Sequence, residues 1–270
     1  MNIFEAVVYG AIQGLSEFLP VSSSGHLALL PHVMKLQDPG VVFDLMMHLG
    51  TALAVCIYFR HDLIRYLKAI NPSLLNLKQG SEDSWFIRNF TVSTITSVFL
   101  ILLLMPVAKL ARDPWVIIIN LSFFGIVLWI ADVINGKKQL LNSPMKLLMQ
   151  WKFAVMIGAA QALAIFPGVS RSGITLTVAL LLGMRRKEAG EYSFLLSLPI
   201  IFAGILKEIP DLMKHEGTTD VMVMLSGIAT SFVVGWLTIH FFMKLIGKIN
   251  LGYFTIYRLI LALAVYLVIL

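Results

Sequence analysis

Glu17, Ser23, His26 and Arg171 are the side chains whose types and spacing can do chemistry in this sequence. Ser23 and His26 stand three apart, so on a helix they share a face. A hydroxyl beside an imidazole is a nucleophile with a base or an acid, and an imidazole can also attack phosphorus itself. The plainer alternative is a set of helix-capping serines, Ser22 to Ser24, next to a satisfied interfacial histidine. Gln13 and Glu17 are four apart and lie on one helical face. A carboxylate and an amide carbonyl on one face can hold a hard divalent cation, Mg²⁺ or Ca²⁺, with phosphate oxygens and water completing its shell. Such a sparse set implies a metal that arrives with its substrate; the alternative is that Gln13 is a helix–helix hydrogen bonder. Arg171 offers a planar fork suited to bidentate phosphate contact, or else an ion pair with Glu17.

These residues sit in a passage that the chain writes twice. Residues 10–25 read GAIQGLSEFLPVSSSG and residues 158–173 read GAAQALAIFPGVSRSG, at a constant offset of 148. Each copy is an apolar run, a proline, a Ser/Gly turn and a second apolar run. The copies differ where chemistry is expected: Glu17 faces Ile165, Ser23 faces Arg171 and His26 faces Ile174. The breaks at Pro20 and at Pro167–Gly168 predict two helix–break–helix hairpins, 3–34 and 153–184, each with a serine at the start of its second helix. The first four N–H groups of a helix lack helical partners, so a serine-capped N-terminus is a ready anion site. Ser22 and Ser24, which recur as Ser170 and Ser172, are the candidate phosphate-binding serines at these termini.

The elements that must position the two hairpins are membrane helices. Apolar residues make up 58% of the chain and charged ones 13%, and the mean hydropathy is +0.85. Soluble domains carry about 25% charged residues. Uncharged runs at 41–59, 89–108, 115–131, 221–243 and 259–270 fit spans of about 20 residues, and 191–206 is nearly as apolar. The expected fold is an all-α, polytopic integral membrane bundle, one domain over 1–270 with repeat halves near 1–110 and 150–250. The start lacks a basic n-region and a cleavage motif, which argues against a cleaved signal peptide. The lone Cys56 allows no disulfide framework.

Lys and Arg set the orientation. If the helices alternate, 14 of them fall on one side, from Arg60 to Lys248, against Lys35, Lys109, Arg112, Lys207 and Lys214 on the other. The richer side is then cytoplasmic, and the net charge of +6 reflects those loops rather than nucleic-acid binding. On this reading the first hairpin enters from outside and the second from the cytoplasm, an inverted repeat. Interrupted apolar segments at matching positions of two halves point to a site in mid-membrane. An arginine there costs about 2.5–3.5 kcal/mol on insertion scales, so it needs a functional reason.

Several polar residues are read as less specific. Asp44 and His48, one turn apart, are either supporting partners of the site or interfacial anchors. Glu188 and Glu191 are expected to serve a helix start, and Arg258, opening the last span, to snorkel to the interface. His32, His61, His215 and His240 have no ligand spacing and read as boundary residues.

The passages Gln13-Gly-Leu-Ser-Glu17-Phe-Leu-Pro-Val-Ser-Ser-Ser-Gly-His26 and Pro167-Gly-Val-Ser-Arg-Ser-Gly-Ile-Thr175 resemble the two signatures of the undecaprenyl pyrophosphate phosphatases, the bacitracin-resistance family. The resemblance spans nearly the whole chain. It implies a multi-pass enzyme of the bacterial inner membrane, open to the outer, periplasmic side. Such an enzyme removes the terminal phosphate from a polyprenyl pyrophosphate, recycles the lipid carrier of peptidoglycan synthesis and confers bacitracin resistance. It places the family serine on Ser23, the histidine on His26 and the arginine on Arg171, with Ser170, Ser172 and Thr175 at phosphate-contacting positions. Where members carry two carboxylates for metal, this chain has Gln13 and Glu17, one ionised ligand fewer. A homodimer is a family-level expectation. The competing function is a lipid-carrier flippase or an anionic-substrate transporter built on the same inverted repeat; a Ser/His pair favours the enzyme.

Overall fold

Inside a bilayer every backbone N–H and C=O must find a partner within the protein, so apolar runs of this length become helices. The computed structural model describes residues 1–34, 40–70, 82–111, 113–138, 150–214 and 220–270. Lys35, Arg112 and His215, and two of the 14 basic residues counted above, Lys78 and Lys146, lie outside the described residues. Eleven α-helices and no strand occur among the described residues: α1 (Ile3–Phe18), α2 (Ser23–Met34), α3 (Gly40–Tyr58), α4 (Arg60–Ala69), α5 (Glu82–Leu110), α6 (Pro114–Lys138), α7 (Trp151–Ala162), α8 (Arg171–Leu181), α9 (Arg186–Lys214), α10 (Val221–Leu245) and α11 (Gly252–Ile269). The chain is a polytopic helical membrane protein. Five of these helices are long and apolar enough to cross a membrane, and α3 with α4 makes a sixth candidate bent by 74°. Their outward faces carry Phe99, Leu102, Phe123, Leu263 and Leu267, all exposed, as lipid-facing residues must be.

The two breaks fall where the prolines and serines predicted. α1 starts on a capping box, with Asn2 Oδ1 accepting from Glu5 N at 2.9 Å and Glu5 Oε2 accepting from Asn2 N at 2.9 Å, and it stops at Phe18. Helix resumes at Ser23. In the second copy a 3-10 turn, Leu163–Ile165, extends α7 before the break, and α8 begins at Arg171.

Each hairpin is seated in the opposite half of the chain. α1 packs on α10 and α2 on α11; α7 packs on α5 and α8 on α6. The repeated glycines make this possible. A Cβ on Gly10 would lie 2.4 Å from the carbonyl oxygen of Gly227, and one on Gly158 would lie 2.4 Å from that of Ser93. Both helix pairs therefore meet backbone to backbone, the small-residue packing that membranes favour. Serines add polar contacts across these seams: Ser93 Oγ donates to Ala154 O at 2.7 Å and Ser97 Oγ to Gly158 O at 2.9 Å.

α9, the most enclosed of the long helices, runs against α3 and α8. This explains why its apolar run is interrupted by Ser193 and Ser197, both buried. At the end of the bundle where α9 starts, Arg186 donates to both Asp132 oxygens at 2.6 and 2.8 Å and to Ile249 O at 2.9 Å. Glu188 serves the same helix start by accepting from Arg185 N at 3.4 Å and from its guanidinium at 2.8 Å, whereas Glu191 accepts from Tyr66 OH at 3.5 Å instead.

Candidate active site

The two breaks face each other and are stitched together. Ser22 (φ 72°) and Ser170 (φ 70°) are the only non-glycine residues with positive φ among the described residues. Each is the residue before a resumed helix, and each side chain accepts from the backbone N–H three residues on, from Gly25 at 3.4 Å and from Gly173 at 3.2 Å. A left-handed serine costs on the order of 1–3 kcal/mol and persists only where its surroundings hold it. Here they do so reciprocally. Gly168 N of the second break donates to Ser24 Oγ of the first at 3.1 Å, and Ser172 Oγ of the second donates to Leu19 O of the first at 3.0 Å.

Arg258 closes this arrangement, and it does not snorkel. It is 0% exposed. Its Nε donates to Leu121 O at 2.9 Å, and its Nη2 to Asn120 O at 3.1 Å, Gly168 O at 2.8 Å and Val169 O at 3.1 Å. Its Nη1 lies 3.5 Å from Pro20 O. Breaking a helix frees carbonyls that hydrocarbon cannot solvate. A guanidinium has five donors and can serve several of them at once. Asn120 Nδ2 takes one more, Pro167 O, at 2.7 Å.

Above the breaks, Glu17 is the hub. Its Oε1 accepts from Arg171 Nη2 at 2.5 Å, and its Oε2 accepts from Gln13 Nε2 at 3.0 Å and from Ser23 Oγ at 2.9 Å. The ion pair is enclosed, with side chains 13% and 5% exposed, and Arg171 Nη1 also donates to Ser193 O at 3.2 Å. The Arg171–Glu17 contact that was the plainer alternative in sequence is thus present, and it lies beside the candidate nucleophile. His48 approaches the same carboxylate, with Nε2 at 3.5 Å from Oε2. Asp44 and His48 resolve accordingly: His48 belongs to the site, and the Asp44 carbonyl orients its ring at 2.7 Å.

Ser23 and His26 are not paired with each other. Ser23 turns to Glu17. His26 Nδ1 donates to Ser22 O at 2.7 Å, which leaves Nε2 to accept from Tyr257 OH at 2.7 Å. The rings of His26 and Tyr257 stack with centroids 5.6 Å apart. The serines expected at the phosphate are engaged in building the breaks: Ser22 and Ser170 cap, Ser24 and Ser172 stitch. Thr175 Oγ1 donates to Arg171 O at 2.8 Å and meets Ser193 Oγ at 2.5 Å, which braces Arg171 from behind. Gln13, Glu17, Ser23 and Arg171 are therefore the predicted residues brought into one cluster. Tyr257 and Ser193 are participants that motif reading passed over; His48 had two alternatives open, and Arg258 was expected at the interface. The signal available was an isolated polar residue inside an apolar run, the rule already applied to Arg171.

The donor set fits a cation in one respect. Gln13 Oε1 is buried and has no hydrogen-bond partner, and it lies on the amide that touches Glu17. Among the described residues no cluster of three His, Cys, Asp or Glu side chains exists, so a closed protein cage is absent from them.

The family described as bacitracin resistance protein BacA matches residues 6–264. A protein of Pseudoalteromonas translucida named undecaprenyl-diphosphatase 1 is 40% identical over 268 residues, covering 97% of this chain and 96% of its own. One of Rubrobacter xylanophilus named undecaprenyl-diphosphatase is 39% identical over 267 residues, with 97% and 96% covered. One of Marinobacter nauticus with the same name is 38% identical over 271 residues, with 99% of both chains covered. The stitched hairpins and the Glu17–Arg171–Ser23 cluster are thus features of a chain that belongs to the bacitracin resistance protein family, BacA.

Proposed function

We propose that this chain is an undecaprenyl-diphosphatase, which hydrolyses the lipid pyrophosphate to undecaprenyl phosphate and free phosphate for recycling of the envelope-glycan carrier. One observation carries the reading: the Ser23 hydroxyl donates to a buried carboxylate whose other oxygen is held by Arg171. A serine so placed has its base at hydrogen-bond distance, and the guanidinium beside it is ready for phosphate. The names of the relatives support the same chemistry.

In this mechanism Glu17 takes the proton of Ser23 as Oγ attacks the terminal phosphorus. The bond from that phosphorus to the bridging oxygen breaks, and Glu17 passes the proton to the departing undecaprenyl phosphate, which restores the carboxylate. Water then attacks the phosphoserine, Glu17 takes its proton and returns it to Ser23, and phosphate departs. Arg171 and the N-termini of α2 and α8 neutralise the charge that develops, which is where most of the catalysis of phosphoryl transfer lies. A divalent cation held by Gln13 and Glu17 would supply further neutralisation of the pyrophosphate oxygens. His26, with both nitrogens occupied, positions the start of α2 and tunes it through Tyr257 rather than acting as the base. The asymmetry of Lys and Arg supports a site facing the outer side of the inner membrane, with the polyprenyl tail in the bilayer beside it.

Purified protein given farnesyl pyrophosphate and Mg²⁺ releases phosphate on this reading, and Arg171→Ala abolishes release. Release untouched by Arg171→Ala would sink it. A pure lipid carrier has no use for a serine on a carboxylate, so sided proteoliposomes that move substrate without cleaving it would favour transport.

A further inference from the structure

His48 reaches Glu17 from α3. Its Nδ1 lies 2.7 Å from the carbonyl oxygen of Asp44. A carbonyl accepts and never donates, so Nδ1 donates to it and Nε2 is the nitrogen turned to the site. Nε2 faces Glu17 Oε2, 3.5 Å away, and an imidazole whose other N–H is fixed on a backbone carbonyl is oriented as metal-ligating histidines are. Gln13, 0% exposed, meets the same oxygen through its amide nitrogen at 3.0 Å, while its amide oxygen is buried without a partner. Half a turn about the last side-chain bond exchanges the two amide atoms, which brings Oε1 beside Oε2.

Gln13 Oε1, Glu17 Oε2 and His48 Nε2 then converge from α1 and α3. The separations of His48 and of the Gln13 amide from Glu17 Oε2 are those of ligands on one metal. With bonds of about 2.1 Å, the 3.5 Å and 3.0 Å separations subtend about 110° and about 90°. Arg171 holds the opposite carboxylate oxygen, so the guanidinium is kept from the cation's side.

We propose that His48 is the third protein donor, with Gln13 and Glu17, to a divalent cation in this site. One imidazole with two oxygens selects an ion of the Mn²⁺ or Zn²⁺ class over Ca²⁺, which takes oxygen alone. Three protein donors leave the remaining positions to phosphate oxygens and water. The inference deepens the phosphatase reading and names its metal chemistry.

The probe is Mn²⁺ alone, added to the untagged full chain in detergent and followed by electron spin echo envelope modulation. The expected result is ¹⁴N modulation from one imidazole, lost in His48→Gln and retained in His26→Gln. The glutamine can still offer an oxygen, so Mn²⁺ binding in His48→Gln persists, weakened about 10- to 100-fold, the range for disturbed metal shells. Bound Mn²⁺ without ¹⁴N modulation in the native protein, modulation that survives His48→Gln, or no Mn²⁺ binding would each overturn the proposal. Phosphate release from farnesyl pyrophosphate in the same preparation reports on the phosphatase reading separately. Release without nitrogen coupling removes His48 from the metal and leaves the phosphatase standing.

Discussion

Replacing Arg258 with lysine keeps the buried positive charge and removes the fork. In the native protein five carbonyl oxygens look to this side chain, those of Pro20, Asn120, Leu121, Gly168 and Val169. They belong to α6 and to both breaks, so no single ammonium can reach them all. Lysine has three donors on one atom, and at least two carbonyls lose their partner. A buried acceptor left unsatisfied costs about 1–3 kcal/mol, which makes about 2–6 kcal/mol for Arg258→Lys, against a typical total of about 5–15 kcal/mol. The melting temperature in detergent should fall by roughly 5–20 °C. Hydrogen exchange should accelerate at 19–22 and 166–170 and stay unchanged in the lipid-facing turns of α5. A variant that melts within a degree or two of native, with unchanged exchange at both breaks, would refute the reasoning, because the carbonyls would then have partners other than this guanidinium.

Three further outcomes follow from the packing and the site. Gly158→Ala drives a methyl group to 2.4 Å from Ser93 O and should lower the melting temperature by at least 5 °C, a shift of about 2 kcal/mol or more. Gly136→Ala, on a helix with nothing within 4 Å of the new carbon, should be neutral or stabilising by about 0.5–1 kcal/mol. Tyr257→Phe removes the donor to His26 Nε2 and should lower kcat about tenfold while KM stays within twofold. Steady-state phosphate release measures both, and an unchanged kcat would take Tyr257 out of the reaction.

The parts of the site that sequence made legible are those where polar residues crowd into a short motif. Gln13 and Glu17 share a helical face, Pro20 and Pro167 break their helices, and an arginine in an apolar passage asks for a partner, which proved to be Glu17. Legibility failed where a residue acts alone from a distant helix. Tyr257 lies 231 positions from His26, and nothing local marks it. Arg258 looks like an edge residue in sequence because the last uncharged run begins at 259. The helix begins at Gly252, so Arg258 lies more than a turn inside it. The serines are legible only in part, because a motif does not say which way a hydroxyl points. Ser24 and Ser172 turn to the opposite break, a direction set by the positive φ of Ser22 and Ser170 and invisible in their spacing.

The central claim is that Ser23, activated by Glu17, receives the phosphoryl group. It is tested most directly by rapid acid and alkaline quench of the purified protein with a prenyl pyrophosphate labelled in its terminal phosphate. The account predicts an acid-stable, alkali-labile phosphoryl group on Ser23 that is absent from Ser23→Ala. An acid-labile, alkali-stable phosphoryl group on His26 would contradict it.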